Sequence, residues 1–254
     1  MVLPTNPHWH LAFDLLAWVT GAMVARWVVP RYLPKTAASS ARAFGLGYLA
    51  ALAGGGISGA YLFGSLNLSL AGGLHLGHSV AGALAGAIIA VELFKLAKGI
   101  RISTGAIWVA PLAAGIAVGR LGCLFAGVSD QTFGRPTSLP WGINLGDGVP
   151  RHPVQLYESA AMLLFLAVYL RALRGRAPWA VERGFYAFVA FYAVQRFAWE
   201  FLKPYPTVVA GLNIFQLLSI ALLAYALFYN ERARRSGLAQ GQSMALLRAD
   251  HQPL

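Results

Sequence analysis

The chain has 254 residues, 57% of them hydrophobic and only 11% charged, with a mean hydropathy of +0.59. A soluble domain carries roughly twice that charged fraction, so composition excludes an ordinary soluble enzyme and points to an integral membrane protein. The formal net charge of +11 would suggest nucleic acid in a soluble chain. Here the basic residues flank apolar segments, so no nucleic-acid partner is expected and an anionic lipid surface is the simpler counterpart.

The first residues, MVLPTNPHWH, lack the basic stretch and small-residue cleavage site of a secretory signal peptide. Insertion is expected to rely on the first apolar segment itself. Seven segments are long and apolar enough to cross a bilayer, near 10–29, 42–66, 76–97, 105–125, 153–172, 183–202 and 212–229. The predicted fold is all-α: seven transmembrane helices within residues 1–230, an extracytoplasmic loop at 126–152 and a basic cytoplasmic tail over 231–254. Small residues in "AGGGISGA" of span two and "AGALAGA" of span three permit close helix packing.

Seven crossings put the termini on opposite sides, and the basic residues choose which. Fifteen of the 20 Lys and Arg residues share one side: Arg26, Arg31, Lys35, Arg42, Lys95, Lys98, Arg101, Arg171, Arg174, Arg176, Arg183, Arg232, Arg234, Arg235 and Arg248. By the positive-inside rule that side is cytoplasmic, which predicts the N-terminus outside and the C-terminus inside. The remaining five, Arg120, Arg135, Arg151, Arg196 and Lys203, lie where that rule does not call for cations. Most of the acids, Asp14, Asp130, Asp147, Glu158 and Glu200, lie there too. Glu92, on the inner side, reads as an i, i+3 partner of Lys95 at the interface.

Helical rise places these charges in depth. Counted from the inner or outer start of their spans, Arg120 sits roughly 22 Å up, Arg196 roughly 20 Å up and Glu158 roughly 8 Å down. In a hydrocarbon core of about 30 Å all three share a layer in the outer half, with Asp14 close to it. Intramembrane charges cost about 2.5–3.5 kcal/mol each on insertion scales, so their coincidence predicts a polar cavity lined by spans four, five and six. Arg196 and Glu200 stand at i, i+4, either as a structural pair or as an anion-binding arginine oriented by a carboxylate. Surplus arginines over carboxylates, with Arg120 and Arg151 expected nearby, favour the second reading and a phosphate ligand.

The long outer connection carries Gly, Pro and Asp turn signals, and its Phe133, Leu139, Trp141 and Ile143 predict a folded surface segment. In "RHPVQLYE" Gln155 and Glu158 are i, i+3 neighbours able to face one cavity, while Tyr157 must face elsewhere. His78, ahead of "SVAGALAGA", is an interfacial residue or a general base, since imidazole titrates near neutral pH. Asp14 is a capping or pairing residue. Cys123, the single cysteine, is a small buried residue or a nucleophile beside Arg120. It excludes an intramolecular disulfide and a Cys-x-x-Cys zinc site; no metal or cofactor is expected.

These motifs together resemble the bacterial prolipoprotein diacylglyceryl transferases. The likeness rests on Gly119-Arg120-x-Gly122, "GRPTSLPWG", "RHPVQLYE", Tyr192 with Arg196-x-x-x-Glu200, and "FQLLSI" from Phe215. It implies transfer of the diacylglyceryl group of phosphatidylglycerol to the lipobox cysteine of a prolipoprotein, at the outer face of the bacterial inner membrane, with glycerol 1-phosphate as the other product. The implied catalytic set is His78, Arg120, Arg196 and Glu200. The implied substrate-binding set is Arg120, Arg135, Arg151, Gln155, Tyr157, Glu158, Tyr192 and Arg196. The partners would be the anionic lipid and the signal peptide of the secreted prolipoprotein. The chain also departs from the family pattern. Where the family continues Gly-Arg-x-Gly with two amides and a carboxylate, this sequence has Cys123, Leu124, Ala126 and Val128, and Asp130 is the nearest acid. Ala81 stands at the family histidine position, and His78 lies one turn earlier. A related transferase with another acceptor is the alternative, as is a non-catalytic lipid transporter or binding protein. A transporter would favour charges at mid-depth reachable from both faces.

Overall fold

The computed structural model describes residues 2–41, 43–70 and 72–249, with side chains to Arg235. Arg42, the Arg248 side chain and residues 250–254 of the expected tail therefore lie outside the described residues. The chain is helical, in the order α1 (His8–Tyr32), α2 (Pro34–Ala41), α3 (Leu46–Ser69), α4 (Val80–Ala97), α5 (Val109–Ala126), α6 (Val154–Arg174), α7 (Pro178–Glu182), α8 (Gly184–Glu200) and α9 (Ile214–Ala249). Single 3-10 turns precede and follow α5, at Ala106–Trp108 and Gly127–Asp130. Six helical stretches are long and apolar enough to cross a membrane: α1, α3, α4, α5 with its flanking turns, α6 and α9. The expected seventh, α8, has 17 residues and carries Arg196 and Glu200 near its end.

Glycine sets the closest contacts. α3 and α4 run antiparallel at backbone distance, because a Cβ on Gly59 would collide with the Gly82 carbonyl and one on Gly82 with the Gly59 carbonyl. Small residues allow this approach in a membrane, where packing replaces the hydrophobic drive between helices. α1 lies antiparallel along α5: Phe13 meets Gly122, and Gly21 meets the Pro111 carbonyl. The packed core sits between α5, α6, α8 and α9, built from residues such as Ala113, Ala117, Met162, Phe165, Phe188 and Leu218. Large apolar side chains on the outward faces, among them Leu11, Trp18, Met23, Ile57, Leu62, Leu163 and Leu164, are exposed, as lipid-facing positions are.

The connection after α5 folds as the sequence suggests, through a short antiparallel pair, β1 (Ile143–Asn144) and β2 (Pro150–Arg151). The Leu3 N–H donates to the Asn144 carbonyl at 2.9 Å. Leu3, Leu124 and Leu145 form a satellite apolar cluster that takes in Phe133 and Ile143, while Leu139 and Trp141 stay exposed.

Candidate functional site: a buried ionic cluster at the head of an apolar cavity

α6 delivers the central group. Ser159 Oγ donates to the Ala117 carbonyl at 2.8 Å, which turns this face of α6 toward α5 and brings Glu158 against Arg120. Arg120 Nε lies 2.7 Å from Glu158 Oε2, Arg196 Nη1 2.5 Å from Oε1, and Lys203 Nζ 2.7 Å from Oε1. Arg196 also contacts Glu200 at 2.8 Å, the i, i+4 pair read from the sequence, and Lys203 contacts Glu200 at 3.3 Å. None of the five is more than 5% exposed. Removing even one such ion from water costs several kcal/mol, so their mutual contacts are what keep them there. Three cations face two carboxylates, leaving one positive charge uncompensated.

The start of α9 closes the cluster. Asn213 and Gln216 form a reciprocal cap: the Gln216 N–H donates to Asn213 Oδ1 and the Asn213 N–H to Gln216 Oε1, both at 2.9 Å. This is the capping-box arrangement. It aims the Asn213 amide at Glu200, to which Nδ2 donates at 3.1 Å. Arg196 in turn lies over the Phe215 ring at 5.1 Å. Burial pushes the Lys203 ammonium below its ordinary value; Arg196 adds to this, while Glu158 and Glu200 oppose it.

A cavity of about 700 Å³ opens in front of the cluster. Arg120, Arg196 and Phe215 line it, whereas Glu158 and Glu200 do not, so the cations face the cavity with their carboxylates behind them. The expected polar cavity between spans four, five and six is corrected here. No α6 residue lines the cavity; α1 supplies a wall instead, through residues from His10 to Ala25, opposite the C-terminal end of α3 and residues 76–80. Glu158, from α6, faces the three cations instead and does not reach the cavity. Ala17, Gly21, Ala22 and Gly115 give the cavity a smooth apolar wall. From His10 to Ala25 the helix rises roughly 22 Å, enough for an acyl chain with its head group at Arg120.

Not every expected residue joins the cluster. Arg151 was expected beside Arg120; it pairs with Asp147 at 2.6 Å and lies over Phe133 at 4.7 Å, in the loop between α5 and α6. That contact also holds the Asp147 carboxyl below the usual carboxylate range. Arg135 donates from Nε to the Lys203 carbonyl at 3.1 Å, and its backbone N–H donates to the Leu202 carbonyl, so it pins the turn that presents Lys203. The Tyr157 hydroxyl accepts from Trp141 Nε1 at 2.8 Å, away from Glu158 as helical geometry requires. Gln155 and Tyr192 are buried, and their side-chain polar atoms have no hydrogen-bond partner among the described residues.

Three groups carry no role in the sequence reading. Lys203 stands among the five outer cations, but it follows the last turn of α8, where rise per residue no longer gives a depth. Asn213 is visible only as a cap signal. His10 is the third: Nδ1 lies 2.5 Å from Asp130 Oδ1, and Nε2 lies 3.3 Å from His78 Nε2. Gly127 makes the first contact possible. Its φ of 75° ends α5, and a Cβ there would meet the Thr5 Cβ at 2.7 Å; the 3-10 turn that follows swings Asp130 back over α1. His10, Cys123 and Asp130 could each offer one metal ligand atom within 4.8 Å of the others. The Arg120 guanidinium, 3.6 Å from Cys123 Sγ, puts a cation beside that space, so the donor set fits a metal ion poorly.

Helices that cross a membrane, with buried cations facing a lipid-length cavity, define a polytopic helical membrane protein. The chain belongs to the prolipoprotein diacylglyceryl transferase family, whose model matches residues 2–230. Among curated proteins it is similar to the phosphatidylglycerol–prolipoprotein diacylglyceryl transferases of Bordetella parapertussis, at 35% identity over 157 residues, and Geobacter sulfurreducens, at 38% over 160 residues. The first match covers 58% of each chain and the second 59% of each. That of Wolinella succinogenes is 34% identical over 58% of this chain and 54% of its own. The chain thus spans less than two thirds of the length of these relatives. No solved structure matches it.

Proposed function

We propose that this protein transfers the diacylglyceryl group of phosphatidylglycerol to the lipobox cysteine of a prolipoprotein, releasing glycerol phosphate at the outer face of the bacterial inner membrane. One observation carries the reading: Arg120 and Arg196 face an apolar cavity while Glu158 and Glu200 stand behind them. That arrangement suits a lipid whose tails lie along α1 and α5 and whose phosphate meets the guanidinium groups. The reaction breaks a carbon–oxygen bond to phosphate, so negative charge grows on the leaving group. Fixed cations in a water-poor site stabilise that charge without reorganising. Family membership and the names of the relatives point the same way.

In this reading Arg120 and Arg196 hold the phosphate; Glu158 and Glu200 hold the arginines; Tyr192 stands against the cluster, and buried Gln155 lies one turn before Glu158 on α6. His78 stands at the cavity rim, where the acceptor peptide would enter. Arg135 and, further out, Arg151 and Tyr157 shape the outer loop around the site. The topology completes the proposal: α8 is a seventh crossing, the N-terminus is outside, and residues 231–254 form a basic cytoplasmic tail. The fifteen inner basic residues support this orientation, which puts the ionic cluster toward the outer leaflet.

The test is purified protein in phosphatidylglycerol vesicles with a lipobox peptide. Release of glycerol phosphate that requires the peptide, and that Arg120→Ala loses, supports the reading. Lipid moved between leaflets with no glycerol phosphate released would replace it with the transporter alternative.

A further inference from the structure

His78, the general-base candidate of the sequence, and Asp130 both contact His10. Asp130 Oδ1 lies 2.5 Å from His10 Nδ1, so Nδ1 carries the proton and donates it to the carboxylate. The neutral ring then holds its lone pair on Nε2. His78 Nε2, at 3.3 Å from that atom, must be the donor in their contact. Asp130 is itself fixed: its side chain is 4% exposed, Thr132 Oγ1 donates to its other oxygen, and the Gly127 turn sets its backbone. His10 lines the cavity that Arg120 and Arg196 also line. The charged and titratable groups facing it are Asp14 on its own helix, Arg120 and Cys123 on α5, Asp130 on the 3-10 turn and His78 ahead of α4, with Tyr61 of α3 behind His78.

We propose that His10 is the general base of the transfer, with Asp130 as its positioning residue, and that the donor position now taken by His78 Nε2–H is where the acceptor thiol binds. This rests on the proposed diacylglyceryl transfer. The acceptor S–H gives its proton to His10 Nε2. The thiolate sulfur bonds to the glyceryl carbon that carries the phosphate. The bond between that carbon and the phosphate oxygen breaks, and its electron pair leaves with glycerol phosphate into the field of Arg120 and Arg196. The imidazolium keeps Nδ1–H on Asp130. Its Nε2–H has Asp14 Oδ2 at 3.4 Å, and the side chain of Asp14, 45% exposed, hands the proton to water.

The experiment measures kcat and KM against pH for the wild type, His10→Gln, Asp130→Asn and His78→Gln, in phosphatidylglycerol vesicles with a lipobox peptide. A general base supplies about 10²–10⁴-fold. His10→Gln is therefore expected to lower kcat at pH 7 by about 10²–10³-fold, with KM for the lipid little changed. It also removes the acidic limb that the imidazole imposes, and its deficit shrinks as pH approaches the acceptor thiol's own value, about 8.5 for a free thiol. A merely structural defect would not recover with pH. Asp130→Asn shows the same split with a smaller loss, and His78→Gln keeps the limb. Should His10→Gln not fold, Asp130→Asn carries the test through its altered limb. An active wild type whose kcat and limb survive both His10→Gln and Asp130→Asn overturns the base assignment alone, as does loss of the limb in His78→Gln only. A wild type that releases no glycerol phosphate overturns the transfer reading and this inference with it.

Discussion

Arg120 Nε and Glu158 Oε2 meet at 2.7 Å from neighbouring helices, both side chains almost wholly buried. The same carboxylate also holds Arg196 and Lys203, so one acid restrains three cations and aims two of them into the cavity.

Removing that acid is costly. Glu158→Gln leaves three buried cations against Glu200 alone, and breaking a buried pair destabilises by about 3–5 kcal/mol. Unfolding in detergent micelles, followed by circular dichroism, should show a loss of that order. Adding Lys203→Met removes one of the uncompensated charges, so the double variant should recover part of it, a coupling that a double-mutant cycle reads directly.

Charge alone does not replace a guanidinium. Arg120→Ala should lower transfer by about 10²–10³-fold, the scale for losing one fixed group that stabilises developing negative charge. Arg120→Lys should restore only part of that, because an ammonium keeps the charge and loses the planar fork. Steady-state release of glycerol phosphate checks both, with circular dichroism at the assay temperature showing that the fold persists.

Gly127 tests how Asp130 is placed. Gly127→Ala introduces a side chain at a φ of 75° and sets its Cβ 2.7 Å from the Thr5 Cβ. A residue held in a sparsely populated backbone region costs about 1–3 kcal/mol. Thr5→Gly in the same chain should relieve the collision and leave the backbone strain, so unfolding should recover incompletely.

Topology has its own check. In a Cys123→Ala background, Asp147→Cys should react with an impermeant maleimide added outside intact cells. Arg176→Cys should react only after the membrane is opened. The reverse pattern would invert the proposed orientation.

Much of the cluster was legible from residue types and helical rise. A rise of about 1.5 Å per residue puts Arg120, Arg196 and Glu158 at one depth, and the structure joins them through Glu158. The i, i+4 spacing of Arg196 and Glu200 likewise foretells their contact. What escaped depends on chain that is not helical. Lys203 lies in the turn after α8, and Asp130 reaches His10 only because a positive-φ glycine folds a 3-10 turn back over α1. Arg151 misled for the complementary reason: it pairs with Asp147 of the turn between β1 and β2, in a loop where helical rise gives no position. The cavity wall was misassigned because apolar residues fall on every side of α1. Such a helix carries no periodic signal to say which face meets α5 and which meets lipid.

The central claim is that one bond is exchanged for another at this site, and product stoichiometry tests it most directly. Purified protein in phosphatidylglycerol vesicles is given a lipobox peptide; the peptide is weighed by mass spectrometry and glycerol phosphate is counted. The account predicts a diacylglyceryl thioether on the peptide cysteine and glycerol phosphate in equal amounts, both lost in Arg120→Ala. Unmodified peptide, with or without glycerol phosphate released, would contradict it.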